Sequence, residues 1–121
     1  MTRPPPDALP DRIRTLLANK GYSPSDCLFA LRSTFRPNFA LPTLWLILTQ
    51  DALMLCNTHR TRGLYREFRS GDINYLHLAG HSLEIALADI HAPHIYVPFP
   101  PTSVEKLGEL IGAATRLLCR A

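Results

Sequence analysis

The densest chemistry in the chain sits in "NTHRTRG", Asn57 to Gly63, a basic knot between two apolar runs. It holds His59, Arg60 and Arg62, while Arg32 and Arg36 flank an earlier break in the apolar pattern. Guanidinium groups grip phosphates and carboxylates through paired N–H donors, so arginines converging from two loops would make an anion site. The same knot also suits a plain hairpin turn, with Asn57, Thr58 and Gly63 bending the chain and the arginines in water. Both readings stand at this point. Membrane attraction is worth about 1 kcal/mol per basic residue, so this cluster alone gives weak, salt-sensitive binding. Phe35 and Phe39, beside Arg36, are either lids over the end of the fold or side chains that enter a partner or a lipid interface.

The other reactive residues argue against catalysis. Cys27, Cys56 and Cys119 form no C-x-x-C pair and carry no nucleophile signature, which fits reduced thiols in a cytoplasmic protein. His77, His81, His91 and His94 match no structural zinc spacing and have no cysteine pair beside them. They are expected at sheet edges or facing solvent, with no metal and no cofactor. There is no nucleophile elbow around Ser82 or Ser103, no glycine-rich phosphate loop, and no acidic companion for Glu84 or Asp89. An enzyme is therefore not expected. Nucleic acid is not an expected partner either, because the arginines are spread and lack interleaved aromatic platforms.

These residues need elements to position them. At 121 residues the prior is one domain, large enough to bury a real core. Hydrophobic content of 46% with 19% charged residues excludes wholesale disorder. No apolar run reaches the roughly 18–20 residues a spanning helix needs, and "MTRPPPDALPD" has no apolar signal-peptide core. A net charge of +3 permits an acidic partner without demanding one.

Residues 1–6 read as an extended tail through Pro4-Pro5-Pro6. A short helix follows over 8–20, with Asp7 as cap, Leu9, Ile13, Leu16 and Leu17 at helical spacing, and Lys20-Gly21 as the stop. From Cys27 the period drops to two. Seven strands are expected at 27–34, 44–49, 52–57, 64–69, 73–80, 82–89 and 94–99, joined by links too short for parallel crossovers. The last twenty residues predict a helix over 103–120, capped by Thr102 or Ser103, with Val104, Leu107, Ile111, Ala114 and Leu118 on its apolar stripe. Arg116 and Arg120 suit its negative end. Gly108 and Gly112, four apart, predict a close approach, either to the sheet or across an interface with a partner helix.

Seven antiparallel strands and one terminal helix is the layout of the pleckstrin-homology superfold. "LWLILTQDALMLCN", followed by "GLYREFRSGDINYLHL" with its Asp72-Ile73 pair, resembles consecutive strands of bacterial pleckstrin-homology-like (PH-like) domains, the YokE-like group among them. The resemblance covers about residues 26–118 and rests on the order of the motifs together, since each alone is only patterning with a turn. Ala52 departs from the Arg or Lys usual there, as do the N-terminal helix and the proline-bearing first loop. The resemblance implies an orthogonal seven-stranded barrel or sandwich, residues 27–99, plugged by the terminal helix. It also implies a binding role rather than a reaction.

Strand parity places the loops 33–43 and 57–63 at one end, so Arg32, Arg36, His59, Arg60 and Arg62 are expected as neighbours. Phosphoinositide-binding relatives carry basic residues in both of the first two strands. The first strand here offers Arg32, but "LWLILT" offers none. Two functions follow as expectations. One is a protein-interaction or self-assembly module, working through a sheet edge or the helix face with Phe35, Phe39, Gly108 and Gly112 as candidate interface residues. The other is peripheral binding of anionic lipid or a phosphate ligand through the two basic loops, at the inner face of the membrane.

Overall fold

In the computed structural model the described residues are 9–33, 44–57 and 65–119. They form helix α1 (Asp11–Asn19), seven strands, and helix α2 (Val104–Leu118). The strands are β1 (Phe29–Arg32), β2 (Trp45–Leu48), β3 (Ala52–Cys56), β4 (Tyr65–Arg69), β5 (Ile73–Ala79), β6 (Ser82–Leu87) and β7 (Ile95–Pro98). All seven expected strands are present, each trimmed at one or both ends. They make two antiparallel sheets, β1-β2-β3-β4 and β5-β6-β7.

The sheets do not close into a barrel, which corrects the barrel half of the expectation. The end of β1 meets β7 through a side chain: Ser33 Oγ donates to Pro98 O at 2.6 Å. Proline has no N–H, so Pro98 cannot donate to a ladder there. On the other side, Gly71 (φ 93°) and Asp72 turn the chain out of β4, with Arg69 N donating to Asp72 Oδ2 at 2.7 Å. The turn delivers β5 to the second sheet rather than to the edge of β4.

The main core lies between the two sheets and α2. The pleat sends Phe29, Leu46, Leu48, Leu53, Leu55 and Phe68 inward from the first sheet to meet Leu83, Ile85 and Val97 from the second. Leu107, Leu110, Ala114 and Leu118 of α2 close this core, and the helix lies against β5. The buried face is thus rotated from the expected stripe, since Val104 and Ile111 are only half-buried. A single 3-10 turn, Pro101–Ser103, leads into α2, and Ser103 makes no side-chain cap, against expectation. Ser103 already has helical dihedrals (φ −94°, ψ −1°), whereas a capping residue sits in the extended region. Arg116 does fall in the last turn.

Gly108 and Gly112 do not serve as points of close approach to the sheet. Gly108 is exposed, and a Cβ there would meet nothing within 4 Å. One on Gly112 would meet only the Arg116 guanidinium at 3.7 Å.

A second core occupies the outer face of the first sheet. Helix α1 lays Ile13 and Leu17, with Leu9 before it, over Ile47, Ala52, Met54 and Cys56. Every residue of β3 is consequently buried. The helix starts at Asp11, with Pro10 in the N-cap position, and ends as the Lys20-Gly21 signal implies. Gly21 (φ 91°) donates to Ala18 O, and Tyr22 N donates to Leu17 O at 2.9 Å, the paired bonds of a Schellman stop. Tyr22 and Leu17 then pack in the same cluster. Asp7, the expected cap, lies outside the described residues.

A polar rim secures this helix end. Arg69 pairs with Glu67 and donates to Tyr22 Oη at 3.1 Å. Tyr65 Oη donates to Glu67 Oε1 at 2.5 Å, and the Lys20 ammonium sits 4.6 Å from the Tyr65 ring centroid. Burial and the Glu67 carboxylate together hold the Tyr65 phenol protonated.

Candidate functional site

The register fixes the geometry of the basic end. Arg32 pairs with Trp45, Trp45 with Cys56, and Cys56 with Tyr65, so four strand termini stand in one row. The connections after β1 and after β3 both spring from that row. Arg32 is exposed on it. Arg36, His59, Arg60 and Arg62, with Phe35 and Phe39, lie outside the described residues. Of the expected anion site, then, the described structure places Arg32 and the roots of both loops.

A different cluster is fully described, on the outer face of the second sheet. Cross-strand register sets His77 of β5 and Tyr96 of β7 on either side of Glu84 in β6, with Tyr75 opposite Ala86 one step along. Glu84 is the hub. Its Oε1 lies 3.3 Å from His77 Nδ1, and its Oε2 accepts from His94 Nδ1 at 2.6 Å and from Tyr96 Oη at 3.2 Å. The Tyr75 ring meets His94 edge-on, with centroids 5.9 Å apart and planes at 87°. Tyr75 and Tyr96 are exposed, whereas the Glu84 side chain keeps only 13% of its surface accessible.

The hydrogen bond from His94, followed by those from Tyr96 and His77, holds the Glu84 carboxyl below its usual range. Glu84 is therefore ionised at neutral pH and acts only as an acceptor. That fixes the rings around it. Each imidazole must present Nδ1–H to the carboxylate, which leaves Nε2 as the bare acceptor of the neutral ring. The Tyr96 phenol is correspondingly harder to ionise, chiefly because its proton is shared with Glu84.

The remaining reactive groups serve the fold. His81 donates from Nδ1 to Phe99 O at 2.6 Å while Phe99 N returns a bond to His81 O, tying the β5–β6 turn to the end of β7. Burial pushes the Cys56 thiol up to about 12 and raises Cys27 and Cys119 as well, so all three thiols stay protonated at neutral pH. An open cleft of about 290 Å³ between Arg66, Phe68, Asp72, Leu87 and Asp89 marks where the two sheets part. Among the described residues, no three His, Cys, Asp or Glu side chains are grouped to hold a metal ion, and no helix is long and apolar enough to cross a membrane.

The sequence reading puts the histidines at sheet edges or facing solvent and gives Glu84 no companion, so it does not join them. Their signal was parity: with His77 opposite Glu84 and Glu84 opposite Tyr96, all three lie on one face once the register is known. No protein-family model matches the chain, and a search of curated proteins returns no significant match.

Proposed function

We propose that this chain is a non-catalytic binding module of PH-like build, acting by protein–protein contact or self-assembly through the outer face of β5–β7. One observation carries the reading. The outer face of the first sheet is covered by α1, whereas the outer face of the second displays Tyr75, His77, His94 and Tyr96 with nothing from the described chain over them. Tyrosines are enriched at protein interfaces because they offer large amphipathic area at low entropic cost. The PH-like assignment draws support from sheets of four and three antiparallel strands followed by an amphipathic helix. The non-catalytic assignment draws support from the protonated thiols.

A photo-crosslinking residue placed at Tyr96, in cells making the chain, tests the reading. A protein adduct from position 96, absent when the probe sits at exposed Glu105 of α2, is the expected result. No adduct at 96, or equal labelling at both positions, would overturn it.

The lipid reading has one observation behind it, the common row of strand ends from which both basic loops leave. Sedimentation with anionic liposomes at low salt decides it. Binding lost in Arg60→Ala plus Arg62→Ala supports that reading, and no binding at low salt removes it.

A further inference from the structure

The Glu84 face has a definite polarity. Residues 70–105 contain no lysine and no arginine, and their fixed charges are Asp72, Glu84, Asp89 and Glu105. The N–H groups that His77 and His94 direct from Nδ1, and the O–H of Tyr96, all turn toward the Glu84 carboxylate. What these three side chains leave for a visitor is lone pairs and aromatic π-faces. Those groups receive hydrogen-bond donors and attract cations, most strongly where a ring stands beside a carboxylate. Arginine and lysine are the protein side chains that supply charged donors without an acceptor of their own.

We infer that the outer face of β5–β7 docks a lysine- or arginine-bearing segment of a partner protein. This rests on the binding-module reading above and names its partner chemistry. The cation sits against the Tyr96 ring and the Glu84 carboxylate, with imidazole nitrogens as further acceptors. Glu84 is faced by Tyr75 and His77 from β5, by Tyr96 from β7 and by His94 from the turn before it; among the described residues no Lys or Arg pairs with it.

The test is a nitrogen-15 NMR titration of the intact chain with a short acetylated, amidated peptide carrying two arginines, run at pH 7.5. Saturable shifts at amides 75–77, 84 and 94–96 are expected. Tyr96→Ala, at an exposed position, should weaken binding by about two- to fivefold at pH 7.5 without altering the rest of the spectrum. The inference is overturned by shifts that are absent or lie elsewhere, or by equal shifts from a matching glutamate peptide. Dilution-dependent shifts of the same amides without peptide would assign the face to a second copy and also overturn it. Adducts at position 96 beside a failed titration remove the cationic partner and leave the module, whereas loss of both removes the module as well.

Discussion

Helix α1 should stabilise the domain as a structural layer, and Leu17→Ala puts a number on it. Leu17 is fully inaccessible, wedged between α1 and the outer face of β2 and β3 with Ile47 and Met54 in the same cluster. Truncating a leucine in such a site removes its transfer free energy and leaves a cavity, together about 2–5 kcal/mol. Against a total of about 5–15 kcal/mol for a domain, that is a large share. For a chain of this length each kcal/mol moves the midpoint by roughly 3–5 °C, so Leu17→Ala should lower Tm by about 10 °C. Thr15→Ala, on the exposed side of the same helix, should change stability by less than about 0.5 kcal/mol. Circular dichroism melts of both variants suffice. Dye binding to newly exposed apolar surface should also rise in the leucine variant, because a loosened α1 uncovers Ile47 and Met54. A Tm drop under about 2 °C for Leu17→Ala would refute the second core.

Two further outcomes follow from the structure. Gly108→Ala and Gly112→Ala should each stabilise the chain by about 0.5–1 kcal/mol in denaturant melts, because both lie inside α2 and a Cβ meets no backbone at either; a loss of stability would mean that something does pack closely there. Cys119 is half-buried while Cys27 and Cys56 are buried, so a thiol reagent at neutral pH should modify Cys119 first and the other two only under denaturant, and equal rates for all three would contradict the burial.

Much of this architecture was legible because local signals agreed with one another. The change from helical spacing before Gly21 to period two after Cys27 marked where strands begin, and short polar links forced antiparallel pairing. The Lys20-Gly21 stop was readable to the residue. What escaped was cover. "WLIL" and "ALMLC" are apolar at consecutive positions, which is how strands buried on both faces read, yet nothing in them says which element lies on the outside. Barrel closure escaped because it depends on how the two sheets meet at Ser33 and Pro98 and at the Gly71-Asp72 turn, which no single strand's pattern records. The Glu84 cluster escaped because Tyr75, His77, Glu84, His94 and Tyr96 come from three strands and a turn, and a bulge between Ile73 and Tyr75 shifts the pairing of β5. One residue of slip in a strand moves every side chain to the opposite face, so a face of this kind exists only once register is fixed. The basic knot that dominates the sequence lies outside the described residues, apart from Asn57, which is buried.

The pleat of β2 and β3 has a consequence for how this protein tolerates change. Ile47 and Leu48 are adjacent in the chain, yet one belongs to the neighbourhood of α1 and the other to that of α2. Substitutions on opposite faces share few partners, so their costs should add, whereas pairs on one face should couple. The central hairpin works as a partition: each side can be remodelled by successive exchanges while the other holds the backbone in place.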